Sequence, residues 1–162
     1  MNQIDTTLKT NHIVINLQNA YEEEATLPTD SQLEQWVDAV LQELKIDKDL
    51  ELTIRAVGLK ESAGLNKIYR KINKPTNVLS FPFNPPPFLK SNTLGDLVIC
   101  VPVVIKEAKK QHKTEESHWA HLIIHGMLHL FGHDHEDAMS AQKMEDLEIK
   151  IMQEIGFANP YS

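Results

Sequence analysis

Two rhythms alternate along the chain: apolar residues at every second position, as a half-buried strand places them, and apolar residues three or four apart, as a helix does. His12–Leu17 (H-I-V-I-N-L) is rich in β-branched residues and predicts a strand, and Leu50–Gly58 (L-E-L-T-I-R-A-V-G) alternates like a second one. Thr76–Phe83 (T-N-V-L-S-F-P-F) predicts a third strand near a sheet edge, because Pro82 has no N–H to give to a ladder. Gly95–Val101 carries an unbroken apolar run and predicts a fourth strand buried on both faces. The helical rhythm appears first in Leu33, Trp36, Val37, Val40, Leu41 and Leu44, and its start can be a capping box from Ser31 with Glu34 or from Thr29 with Gln32.

Glu61–Ile72 places Leu65, Ile68, Tyr69 and Ile72 on one helical face and leaves Lys67, Arg70 and Lys71 mostly on the other; Pro75 closes that region. Asn84–Asn92 holds three consecutive prolines and predicts a surface loop. Pro102 suits the first turn of a helix reaching about Lys113, and Thr114 can cap a further helix that stops at Gly132. Met139, Met144, Leu147, Ile151 and Ile155 mark a last helix closed by Gly156. The order β-α-β-α-β-β-α-α-α predicts an α+β (mixed α/β) fold: one domain over residues 12–162, a small mixed four-stranded sheet covered by about five helices. Residues 1–11 are polar and expected to form a flexible tail.

Composition narrows the class. The chain has 162 residues, 41% of them apolar and 24% charged, which are globular proportions with length enough for one ordinary core. No apolar run approaches membrane-spanning length, and the first twenty residues lack the layout of a secretory signal, so a cytoplasmic protein without a membrane partner is expected. Cys100 is the only cysteine, which excludes an internal disulfide and a cysteine-built zinc cluster; inside an apolar run it is expected to be a buried thiol. The formal charge of −7 speaks against a nucleic-acid partner, but its distribution does not. Six of the sixteen basic residues and one of the twenty-three acids fall between Lys60 and Lys90, and Lys106, Lys109, Lys110 and Lys113 form a second cluster. A basic face on an acidic protein is compatible with a phosphate-bearing ligand; on charge alone a solvated helix surface is the commoner explanation.

The chemistry gathers in one stretch, H-G-M-L-H-L-F-G-H-D-H, from His125 to His135. On a helix, His125 and His129 stand one turn apart on one face and can reach one metal ion. Gly132 can take the left-handed conformation that closes a helix, and the returning chain can bring in His135. Three protein ligands leave a position open, as catalytic zinc sites do; histidine ligands favour zinc, with another transition metal allowed. His133 competes as third ligand, and Asp134 is either an outer partner that orients a ligand imidazole or an entry residue for the last helix. His118 and His121 also lie at helical spacing but upstream of the turn. The spacing is that of the metzincin peptidases, whose general-base Glu is here replaced by Gly126, so the ligand cage is kept and the peptidase base is lost. A three-histidine site can still acidify a bound water and polarise a phosphoryl oxygen.

This stretch resembles the signature of the YbeY family of bacterial metal-dependent endoribonucleases of ribosomal RNA maturation. Tyr69–Phe83 (Y-R-K-I-N-K-P-T-N-V-L-S-F-P-F), Leu94–Cys100 and Ser117–Gly126 also resemble family segments, and the likeness runs from the first strand to Tyr161. It implies a zincin-like fold, one zinc ion on His125, His129 and His135, and Arg70 facing the metal cleft as a catalytic residue. A guanidinium is a permanently charged fork suited to a phosphodiester, and Lys67, Lys71 and Lys74 are candidates for RNA attraction. The resemblance further implies a single-strand-specific endoribonuclease that uses metal-activated water, processes the 3′ end of 16S ribosomal RNA and serves ribosome quality control. Ribosomal RNA and the small subunit are the implied partners, with a small-subunit ribosomal protein and an Era-type assembly GTPase as further candidates; DNA is not expected. Two positions depart from the commoner pattern, His133 where Tyr is usual and Asn77 where Asp is frequent.

Two other classes stay open on the sequence. One is a ribosome-assembly binding factor with a structural zinc, which normally takes four protein ligands where only three stand out here unless His133 or Asp134 closes the shell. The other is a metal-dependent peptidase or small-molecule hydrolase, against which Gly126 weighs.

Overall fold

The computed structural model describes residues 5–9, as backbone, and 13–162. In chain order these form strands β1 (Asp5–Lys9) and β2 (Ile13–Asn19), helix α1 (Asp30–Glu43), strand β3 (Leu50–Val57), helix α2 (Leu59–Arg70), strands β4 (Val78–Pro82) and β5 (Thr93–Cys100), and helices α3 (Val101–Lys110), α4 (Glu115–Leu130) and α5 (Ala138–Glu154). The sheet order is β1-β2-β3-β5-β4. The four expected strands make its mixed body: β2, β3 and β5 run parallel, and β4 lies antiparallel on the edge of β5. Strand β1 extends it by a fifth member, antiparallel to β2, so part of the expected tail lies in the sheet. The rest of that tail, 1–4 and 10–11, and His12 lie outside the described residues.

Side-chain alternation decides which layer each face serves. Ile13, Ile15 and Leu17 of β2, Leu52, Ile54 and Ala56 of β3, and Leu97 and Ile99 of β5 share one core with buried residues of α1, α4 and α5. Val57, Leu79, Val98 and Cys100 point the other way into a smaller cluster, with Leu65 of α2 packed against it. β5 is therefore buried on both faces from Leu97 to Cys100, as its apolar run predicts, and Cys100 is a buried free thiol whose pKa is pushed up by burial. Helix α4 is buried nearly all round, from His118 to Leu130.

Two helices correct the sequence reading. α1 starts from the Thr29 box: the Thr29 hydroxyl accepts from the Gln32 amide at 3.2 Å, and the Gln32 side chain accepts from the Thr29 amide at 2.8 Å, leaving Ser31 inside the helix. In α2, Ile68 and Tyr69 are 66% and 63% exposed, and the buried residues are Ser62 and Asn66. The reason is the chain that returns beneath the helix, whose backbone groups need partners. Ser62 Oγ meets both the amide and the carbonyl of Thr76 at 3.0 Å, and Asn66 Nδ2 donates to the Lys74 carbonyl at 2.8 Å. These bonds stitch the loop from Lys71 to Asn77 beneath α2 and lead it into β4, with Arg70 at the helix end.

Candidate metal centre

Helix α4 ends where its sequence says it should. Gly132 takes φ +94°, its amide donates to the His129 carbonyl at 2.9 Å, and the His133 amide donates to the Leu128 carbonyl at 3.0 Å. This pair of reversed bonds is the Schellman closure that a glycine makes cheap. The reversal brings the ring of His135 beside the two helical imidazoles. His125 and His129 have ring centroids 4.7 Å apart, with His135 at 5.8 Å from the first and 5.0 Å from the second. Nε2 of His129 stands 3.1 Å from Nε2 of His125.

These spacings suit a common ion. Two nitrogens each 2.0–2.1 Å from a tetrahedral zinc lie about 3.3 Å apart, and their ring centroids about 5 Å apart. Among the described residues, however, no three His, Cys, Asp or Glu groups already stand in a complete ligating arrangement. The donor types and ring spacing are those a zinc ion would accept. Burial and the neighbouring His125 and His135 push the His129 pKa down to about 4, which favours its neutral form.

The outer partner of the cluster is not Asp134. The Asp134 carboxylate accepts from the Glu136 amide at 3.3 Å, and the cap of α5 is Asp137, which accepts from the Ser140 amide at 2.8 Å. The carboxylate that reaches the imidazoles is Glu148 of α5, 1% exposed. Its Oε2 lies 3.2 Å from Nδ1 of His125 and 2.5 Å from Nε2 of His121, while Oε1 accepts from the Tyr161 hydroxyl at 2.9 Å. Burial works against the charge of Glu148, yet the bonds to His121 and His125 prevail and hold its pKa down to about 2. Sequence reasoning missed Glu148, although a carboxylate between Met144 and Ile151 on the buried stripe was a visible signal. Met139, counted in that stripe, is 84% exposed.

Upstream, Nε2 of His118 lies 2.8 Å from Oε1 of Glu107, and Asn77 Nδ2 donates to the same oxygen at 3.0 Å. An aspartate at 77 has no hydrogen to give there, so the departure from the commoner pattern has a local use. His133 takes part through its backbone, which closes α4 and also hydrogen-bonds His129.

A cleft of about 580 Å³ runs between α4 and the edge strand β4, and its walls include His125, His129, His135, Asn77, Tyr69 and Arg70. Arg70 thus lines the same cleft as the three histidines, carried there by the end of α2. Lys67, Lys71 and Lys74 are exposed on the surface around it and do not line the cleft. Gly126 is buried against the sheet, where its carbonyl accepts from Ser80 Oγ at 3.3 Å. No helix among the described residues is long and apolar enough to cross a membrane.

The family described as "Endoribonuclease YbeY" matches residues 15–156. Proteins named "Endoribonuclease YbeY" from Coxiella burnetii strains Dugway 5J108-111 and RSA 331 are 51% identical over 150 residues, which is 92% of this chain and 98% of theirs. Among solved structures, the solution structure of TM1509 from Thermotoga maritima superposes with a TM-score of 0.53 at 23% identity, covering 86% of this chain and 91% of that one. At that identity the likeness carries the fold alone.

Proposed function

The chain belongs to the endoribonuclease YbeY family, and on that premise we propose that it is a zinc-dependent, single-strand-specific endoribonuclease of the cytoplasm that acts in 16S ribosomal RNA 3′-end maturation and ribosome quality control. The observation that carries this reading is Arg70 in one cleft with His125, His129 and His135. A zinc ion held by His125, His129 and His135 would supply an acidified water and a Lewis acid for a phosphoryl oxygen. Arg70 binds the scissile phosphate through its planar fork and meets the charge that grows on it as the bond to phosphorus changes. Lys67, Lys71 and Lys74 raise the local concentration of the RNA without reading its sequence. Gly126 has no side chain with which to take a proton, which separates this site from a peptidase of similar spacing. Ribosomal RNA and the small subunit are the proposed partners, joined by a small-subunit ribosomal protein and an assembly GTPase of the Era type.

The test pairs metal analysis with cleavage of a defined single-stranded RNA. His129→Ala is expected to lose both metal and cleavage. Arg70→Ala is expected to keep metal and fold and to lose cleavage by about 10²–10³, the cost of removing one donor aimed at developing charge. Wild-type cleavage rates in purified Arg70→Ala protein overturn the reading, since a contaminating nuclease would be indifferent to both substitutions. Product ends then fix the route: a 2′,3′-cyclic phosphate marks attack by the ribose hydroxyl.

A further inference from the structure

Glu148 can only accept hydrogen bonds when ionised, so every nitrogen facing it must carry the proton. Nδ1 of His125 at 3.2 Å is therefore N–H, and in a neutral imidazole this puts the lone pair on Nε2, on the cleft side and 3.1 Å from Nε2 of His129. Nε2 of His121 at 2.5 Å is N–H by the same reasoning. The second oxygen of Glu148 is held at 2.9 Å by the hydroxyl of Tyr161. Tyr161 touches no candidate ligand through a hydrogen bond; it stacks edge-on against His121, with centroids 5.4 Å apart. Its segment is tied down beside α3, where Lys113 Nζ donates to the Pro160 carbonyl and the Tyr161 amide donates to Asn159 Oδ1 at 2.8 Å. Burial and the charge of Glu148 push the phenol pKa up, so it stays a donor.

We propose that Tyr161 and Glu148 are positioning residues: the carboxy-terminal tyrosine fixes the rotation of the Glu148 carboxylate, and the carboxylate fixes His125 in the tautomer that presents Nε2 to a metal. This rests on the metal reading given above for its purpose, while the tautomer itself is a property of the metal-free chain. The arrangement is a buried carboxylate with three donors and two oxygens. Removing the hydroxyl frees Oε1 and lets the group turn away from His125 towards its shorter bond with His121.

The experiment uses the full chain. Long-range nitrogen–proton NMR of the metal-free protein at neutral pH reads the His125 tautomer, and competition with a chromophoric chelator reads zinc affinity. Wild type is expected to show His125 as the Nδ1–H form alone. Tyr161→Phe is expected to mix the two neutral forms and to weaken zinc by about threefold to tenfold, towards the low end of what outer partners of metal ligands contribute. Glu148→Ala is expected to lose the preference entirely and to weaken zinc by about 10–100-fold, with Glu148→Gln between the two because an amide oxygen still accepts from Nδ1–H. Ser162→Ala is the neighbouring control and is expected to change neither readout. If Glu148→Ala does not fold, Tyr161→Phe and Glu148→Gln decide alone. An unchanged His125 tautomer in Tyr161→Phe overturns the proposal even if stability falls, because a merely structural tyrosine lowers stability without moving the tautomer. Failure of wild type to bind zinc defeats the metal reading and leaves the tautomer measurement standing.

Discussion

Gly126 of α4 lies against Leu97 of β5 so closely that a Cβ at position 126 would stand 2.7 Å from Leu97 Cδ2 and 3.3 Å from both Leu97 Cδ1 and Ser80 Oγ. The glycine that replaces the peptidase base is therefore also the point where the histidine helix meets the sheet. Leu97 is fully buried. In an exposed helix, Gly→Ala stabilises by about 1 kcal/mol. Here overpacking costs about 1–3 kcal/mol and outweighs it. Gly126→Ala is expected to lower stability by up to about 2 kcal/mol in urea unfolding, and Gly126→Glu to lower it further without creating peptidase activity. A more stable Gly126→Ala protein would show that Leu97 gives way freely.

What the sequence made readable here was local. His125, His129, Gly132 and His135 lie within eleven residues, and helix geometry with one left-handed glycine relates them without any knowledge of the rest of the fold. Strand β4 was readable as an edge because Pro82 says so by itself. Glu148 was not, since it stands 23 residues from His125 on another helix and meets it only once α4 and α5 pack. The burial of Ser62 and Asn66 in place of Ile68 and Tyr69 was hidden for a related reason. Helical periodicity sorts residues by polarity, whereas this face is chosen by backbone groups of the chain from Lys74 to Thr76 that need partners.

The choice between two capping boxes gives a direct stability test. Thr29 accepts from the Gln32 amide, whereas Ser31 lies within α1. Thr29→Ala is expected to cost about 1 kcal/mol and Ser31→Ala a few tenths at most. Thermal or urea unfolding of the two variants separates them, and equal losses would mean that the helix can start at either residue.

Acid should destabilise the metal-free protein over two overlapping pH ranges. His129 has a folded pKa of about 4, below its ordinary 6.5, so between those values the unfolded chain takes up a proton that the folded chain refuses. Its contribution is complete above pH 6.5 and is lost as pH falls through 4. Glu148, at about 2 against an ordinary 4.5, contributes fully above pH 4.5 and loses that contribution as pH falls through 2. With a chelator present, urea midpoints are expected to be flat near pH 7, to decline from pH 6.5, and to decline further below 4.5. Glu148→Gln is expected to remove the lower limb. A wild-type midpoint that holds steady from pH 6.5 down to 4 would contradict the burial of His129 in its neutral form.

Gly132 tests whether the turn after α4 serves the site or only the helix. Its φ of +94° is strained for any residue with a Cβ, yet nothing lies within 4 Å of where that Cβ would stand. The cost of Gly132→Ala is therefore conformational, about 1–2 kcal/mol, and Gly132→Asn should cost less because asparagine tolerates the left-handed region better. Gly156 closes α5 by the same pair of bonds at φ +92°, so Gly156→Ala is expected to lose a similar amount of stability. What distinguishes Gly132 is His135, three residues on, which the turn brings to within 5.0 Å of the His129 ring. If His135 is a ligand, Gly132→Ala weakens zinc binding as well as the fold. Thr29→Ala, matched to it in stability loss and tied to the distant start of α1, leaves zinc affinity unchanged. Measuring chelator competition on both variants at a temperature where each is folded separates the two effects. Equal affinities in Gly132→Ala and wild type would remove His135 from the ligand set and leave the pair His125 and His129 in need of another third donor.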